Sequence, residues 1–132
     1  MDRFSRDDLD ALQILHNAKY LLLFERTLGS FWEHLGFGSF QEQREQAHLV
    51  RANAIEYLRP FRGTGNVRVR VWIEGLGTTS LTFGFRLMPM DSDAEHAMGQ
   101  RVIVRIDPRS GRPDPWTEAF RDRLKAWLPE PA

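Results

Sequence analysis

The hydrophobic period of this sequence changes from about 3.6 to 2 after residue 46, and that change demands a fold that joins a helix to a sheet. From Leu12 to Leu35 the apolar residues return every three, four or seven positions. Ile14, Ala18, Leu21, Leu28, Trp32 and Leu35 make one helical face, and Lys19, Arg26 and Glu33 mark the opposite one. Leu15, Leu22, Leu23, Phe24 and Phe31 widen the apolar side well beyond one stripe, so this helix must be covered on most of its circumference. Gly36 stands where a helix stop belongs, and 37–46 reads as loop.

Beyond the loop the alternation is that of strands. Val67, Val69, Val71 and Ile73 alternate with Arg68, Arg70, Trp72 and Glu74, and Gly75-Leu76-Gly77 supplies a turn. Leu81, Phe83, Phe85 and Leu87 alternate with Ser80, Thr82, Gly84, Arg86 and Met88. Residues 89–99 read as a longer hairpin loop. Val102, Val104 and Ile106 then alternate with Arg101, Ile103 and Arg105. Leu49 to Arg59 is a further strand, ended by Pro60, and Arg3 to Arg6 a short edge strand. Asp114-Pro115 predicts a terminal helix, with Trp116, Phe120, Leu124 and Trp127 on one face and Pro129 as its end. The expected order is a short strand, one long helix, an antiparallel meander of about four strands and a terminal helix, an α+β arrangement. Trp72, Met88 and Ile103 fall on the outward side of the expected sheet, and a half-apolar outer surface of that kind suits a subunit partner.

The 132 residues suit a single domain, 1–132, able to bury roughly two thirds of its unfolded surface. Eighteen basic residues balance eighteen acidic ones, which argues against a nucleic-acid partner. The absence of Cys excludes a disulfide framework, a zinc thiolate site and a cysteine nucleophile. The polar first residues are wrong for a signal peptide, and the apolar run from Tyr20 to Phe24 is too short to span a bilayer, so a cytoplasmic protein with no membrane partner is expected. His34, His48 and His96 are scattered, with no spacing that suggests a metal site.

The tract from Asp8 to Tyr20, Asp8-Leu9-Asp10-Ala11-Leu12-Gln13-Ile14-Leu15-His16-Asn17-Ala18-Lys19-Tyr20, continues to Phe24-Glu25. It resembles the signature of the hotdog-fold acyl-CoA thioesterases of the 4-hydroxybenzoyl-CoA thioesterase type. Tyr57-Leu58-Arg59-Pro60 before a Val-rich strand, and Gly77-Thr78-Thr79-Ser80-Leu81-Thr82-Phe83 opening the next, agree with that family. The likeness runs to about Asp107. It implies a hotdog fold: a long central helix wrapped by a curved antiparallel sheet, with a short C-terminal helix, assembling as a dimer or a dimer of dimers. It implies hydrolysis of an acyl-CoA thioester, with coenzyme A as part of the substrate and no other cofactor. By the same resemblance Asp10 is the catalytic carboxylate, and the backbone N–H at Asn17 polarises the thioester carbonyl. His16 and Tyr20 line the substrate site, and Thr79 or Ser80 approaches the site of a neighbouring subunit.

The residues themselves allow this chemistry without deciding it. Read alone, Asp8 and Asp10 are helix N-terminal charges favoured by the macrodipole, and Tyr20 is a packing residue. Free N–H groups at a helix start can hold an oxyanion, and a carboxylate just upstream can attack a thioester or deprotonate a water. Glu25 is a competing base, for which an ion pair with a strand Arg is the preferred expectation. Seven Arg on the expected strands and their links, at 59, 62, 68, 70, 86, 101 and 105, are candidate partners for the CoA phosphates. Gln13 stands where the family carries Gly, which motivates an alternative reading as a hotdog protein that binds acyl-CoA without turning it over.

Overall fold

The computed structural model describes residues 2–4, 17–37, 47–61 and 65–129. They form β1 (Asp2–Phe4), α1 (Asn17–His34), β2 (His48–Tyr57), β3 (Gly65–Leu76), β4 (Ser80–Pro89), β5 (Ala97–Arg105) and α2 (Glu118–Leu124), with a single 3-10 turn at Lys125–Trp127. The five strands make one antiparallel sheet in the order β1-β3-β4-β5-β2, and the long helix packs on its inner face. This is the hotdog architecture.

The core is an aromatic seam between α1 and β4. The rings of Phe24 and Phe85 stack at 4.1 Å, and Phe31 and Trp32 both meet Phe83 edge-on. Tyr20, Leu23, Phe24, Leu28 and Leu35 are the helix positions that go under, and Leu81, Phe83, Phe85 and Leu87 are fully buried opposite them. Each such side chain contributes roughly 1.5–3 kcal/mol by leaving water. The buried face is therefore centred on Tyr20, Phe24 and Leu28. Leu21 and Trp32, expected at its centre, lie at its margin, only partly buried.

Several expectations need correction. The last four strands are not a simple meander: only β3-β4-β5 is, and β2 crosses to the far edge to pair with β5. The links 77–79 and 90–96 suit hairpins, whereas residues 58–61, which follow β2, pack against Tyr20 and His96. β5 begins at Ala97, inside the expected loop, and in the opposite phase. Leu81 pairs with Ile103 and Phe83 with Arg101, so Ile103 and Arg101 face the helix while Val102 and Val104 face outward. Met88 does lie on the outer side, opposite Arg68, but it is buried there because Arg68 reaches across it to Pro89 O, Ser92 O and Asp93 Oδ1.

The terminal helix starts three residues later than expected, at Glu118, with Thr117 as N-cap: its Oγ1 accepts from Phe120 N at 3.2 Å. Asp114 is unavailable as a cap. Its carboxylate pairs with Arg105 at 2.9 Å, and its N–H donates to Arg105 O. Trp116 N and Nε1 donate to Thr78 O and Ser80 O, and Arg121 to Gly77 O, which stitch this segment onto the β3–β4 turn. Trp127 falls on the 3-10 turn and is 42% exposed, off the face that buries Phe120 and Leu124.

Gly36 ends α1 as expected. Gly36 N donates to Glu33 O and Phe37 N to Trp32 O, the pair of bonds that defines a Schellman stop, with Gly36 at φ 91°. Arg123 then donates to Leu35 O at 2.8 Å and lies over Phe37, so α2 caps α1. A Cβ on Gly36 meets Arg123 Nη1 at 2.0 Å. Gly36→Ala is therefore expected to lower stability by about 1–3 kcal/mol, from the left-handed backbone and the displaced guanidinium. Urea unfolding checks this; a midpoint equal to the parent's contradicts it.

Candidate active site

The start of α1 lies under the link that follows β2. Tyr20, 1% exposed, meets Tyr57 edge-on at 5.0 Å and Phe61 at 5.8 Å. Its hydroxyl takes the backbone N–H of Phe61. Burial nevertheless pushes the phenol above its ordinary pKa, which keeps it protonated near neutral pH. Phe61 stacks on His96 at 4.3 Å, and His96 Nδ1 lies 3.1 Å from Pro60 O. The His96 carbonyl accepts from both Leu58 N and Arg59 N. Burial holds the imidazole below its usual range, so it is neutral at pH 7. The tract Tyr57-Leu58-Arg59-Pro60 thus folds as a clamp that joins β2, the beginning of β5 and the first turns of the helix.

Asn17 opens α1, at the same end as this clamp. The first N–H groups of a helix have no partner inside it, and they carry the positive end of its dipole. Asp10, His16 and Gln13, together with Arg62, lie outside the described residues.

Thr79 and Ser80 sit at the other end of the sheet. Ser80 pairs with Val104, whereas the Tyr20 end is marked by Leu87 and Ala97. Seven residues of strand separate the two ends, about 23 Å at the usual rise. One chain therefore does not bring Thr79 or Ser80 to Tyr20. Their carbonyls serve the fold: Thr79 O accepts from Arg105 N, and Ser80 O from Gly77 N and Trp116 Nε1.

Glu25 lies two turns along α1, paired with Arg101 at 2.8 Å, which is the strand partner expected for it. Arg101 also donates from Nε to Asn53 Oδ1 at 2.7 Å and stands 5.0 Å over the Phe24 ring. Its side chain is only 8% exposed, the one buried charged residue among those described. This three-way contact between α1, β5 and the edge strand β2 was missed in the sequence because β5 was read in the wrong phase. The signal was Gly99: it lies opposite Phe85, whose ring fills the space a side chain at 99 would occupy, and it sets 97, 99, 101 and 103 on the helix side. Of the other candidate phosphate partners, Arg68, Arg86 and Arg105 are held by Asp93, Glu95 and Asp114, while Arg59 and Arg70 are exposed.

Known proteins resemble this chain in sequence and in fold. The acyl-CoA thioester hydrolase YbgC of Escherichia coli O157:H7 is 26% identical over 111 residues, covering 81% of this chain and 80% of its own. A thioesterase of Thermus thermophilus, whose structure holds coenzyme A and zinc, is 28% identical and superposes with a TM-score of 0.78 over 95% of this chain and 91% of that one. The SAV2348 protein of Staphylococcus aureus, solved with CoA, has a TM-score of 0.85 over 98% of this chain and 84% of its own. At 16% identity it speaks for the fold alone. The thioesterase-like superfamily matches residues 5–124, from ahead of the Asp8–Tyr20 tract to the end of α2, and the chain belongs to that superfamily.

Proposed function

We propose that this protein hydrolyses an acyl-CoA thioester to the free acid and CoA, with Asp10 as nucleophile or general base. The observation that carries the reading is the superfamily match across a tract that holds Asp10 and runs directly into the first turn of α1. The thioester carbonyl is placed at the backbone N–H of Asn17, where the helix dipole opposes the negative charge of the tetrahedral oxygen. Asp10 then attacks the carbonyl carbon and expels the CoA thiolate, leaving a mixed anhydride that water opens. Alternatively, it removes a proton from a water that attacks in its place. His16 and Tyr20 wall the acyl side. CoA is substrate, and no step calls on a metal or a resident cofactor. Glu25 is left out of the chemistry because its carboxylate is held by Arg101.

A second copy completes the site in this reading. Among the described residues β2 is an edge strand, with its Leu49, Val50 and Tyr57 exposed by 56, 48 and 43% and Leu58 just beyond it by 48%. Such an edge is a pairing template. Antiparallel pairing of β2 with its own counterpart lays the partner's His48 end beside Tyr57. Register then carries the partner's Val104 and Ser80 toward the same end of the sheet. That is how Thr79 and Ser80 of one copy reach the pocket of another, which one chain alone does not allow. Among the described residues no helix is long and apolar enough to cross a membrane, and we place the reaction in the cytoplasm.

Asp10→Asn should lower kcat by about two to four orders of magnitude, and Glu25→Gln should stay within about tenfold of the parent. Turnover with a panel of acyl-CoAs checks both. A dead Glu25→Gln beside a fully active Asp10→Asn moves the chemistry onto the helix. A parent that binds acyl-CoA but turns none over makes the protein a binder. Gln13→Gly should retain activity, since Gly adopts every backbone conformation open to Gln. Specific activity should fall on dilution in step with loss of the dimer, read by light scattering against the 15.4 kDa chain mass; a fully active monomer contradicts the shared site.

A further inference from the structure

His96 belongs neither to the Asp8–Tyr20 tract nor to the proposed chemistry, yet its backbone and its ring both hold the link that follows β2. Its N–H donates to Leu87 O, which ties it to β4. Its carbonyl accepts from Leu58 N and Arg59 N. Its ring lies nearly flat on Phe61, 4.3 Å between centroids and 21° between planes, with Nδ1 3.1 Å from Pro60 O. A carbonyl oxygen only accepts, so Nδ1 carries the proton of the neutral ring and Nε2 the lone pair. The contacts continue to the helix. Phe61 is buried, its N–H bonds to the Tyr20 hydroxyl, and its ring stands 5.8 Å from that of Tyr20. Tyr20 lies about one turn from Asn17, where α1 begins. Pro60 O, the imidazole, Phe61 and Tyr20 thus form one path from the sheet to the first turn of the helix.

A proton on Nε2 puts a positive charge into that path. Burial opposes the charge most, the Pro60 carbonyl favours it, and the Arg59 guanidinium in the same link opposes it again. The balance holds the imidazole below its ordinary range. The other ionisable groups around the stack do not reverse this. Glu95, the chain neighbour, is held by Arg86 at 3.0 Å. From α1 the stack is met by the protonated phenol of Tyr20, which Tyr57 of β2 meets edge-on. A base whose charged form is disfavoured in the closed link supports closure fully above about pH 6.5 and withdraws that support as the pH falls below it.

We propose that His96 is a positioning residue: its uncharged ring holds residues 58–61 closed over Tyr20 and the first turn of α1, and its protonation releases them. The effect on turnover rests on the hydrolase reading above; the closure itself does not. Hydrogen exchange at the amides of Leu58, Arg59 and Phe61 tests it between pH 7.5 and about 5, in the parent, in His96→Phe and in His96→Gln. Phe keeps the stack and Gln keeps a donor toward Pro60 O, while neither takes up a proton. In the parent the protection factors of these three amides should fall at least about threefold over that range, and that of the Trp116 amide, bonded to Thr78 O at the other end of the sheet, should not. In both variants all four should stay level. Parent protection that stays level, or that falls equally in the variants, overturns the proposal. Over the same range kcat/KM for an acyl-CoA should fall at least about threefold further in the parent than in either variant. A pH profile of turnover common to all three proteins overturns the positioning role. Absence of turnover at every pH fails the hydrolase reading instead, and the exchange result then decides the closure by itself.

Discussion

A helix that is apolar on most sides has to be enclosed, and the enclosure of α1 is the constraint on which the molecule depends. The stacked pair Phe24–Phe85 fixes the helix over the middle of β4. Phe31 and Trp32 continue the contact toward Phe83, and Tyr20 continues it toward Phe61. The sheet twists as sheets do, and its inner residues meet the helix on one side only. The remaining helix surface is covered from the ends. The clamp at 57–61 closes over the first turns, and α2 with Phe37 closes over the last. Both closures fix the direction of α1, and with it the aim of the N–H groups at Asn17.

Polar side chains locate what the aromatic seam leaves free to slide. A greasy helix on a greasy sheet has many positions of similar energy. Arg101, nearly buried between Phe24, Glu25 and Asn53, has only one. Removing either partner strands a charge out of water, which is far more costly than misplacing a methyl group. The same contact joins α1 to the edge strand β2 through one guanidinium.

Local pattern made the elements legible, and long-range contact decided where the reading failed. Gly36 and the alternation from Val67 to Ile73 each state their structure within a few residues and stand as read, and the 3.6 period holds over α1, with its buried face turned from Leu21 and Trp32 toward Tyr20 and Phe24. The phase of β5 does not, because Arg101, Val102, Ile103 and Val104 alternate only between a charge and aliphatics. The inward arginine makes sense only once Glu25, 76 positions away, is known to be its partner. Asp114-Pro115 is a sound helix start on local grounds, and it lost to Arg105 and Thr78, which hold that segment extended. Tyr20 lies in the motif tract, but its edge-on contact with Tyr57 joins residues far apart in the chain, and no local pattern states it. Nor does one state the remoteness of Thr79 and Ser80, since no local signal reports which end of a sheet a turn occupies.

The crossing of β2 to the far edge also sets the order in which the chain can assemble. β2 occupies residues 48–57, but its only partner strand among the described residues is β5, at 97–105. On a ribosome the strand emerges roughly forty residues before anything exists for it to pair with. Its open hydrogen-bonding groups and its Leu49, Val50 and Tyr57 wait through that interval, while β3 and β4 form their hairpin. Closing so long a loop is slow, and an unpaired apolar strand is a site of misassociation meanwhile. The charges interleaved along β2, at Arg51 and Glu56, lie where such a strand needs them, interrupting the apolar run until its partner strand arrives.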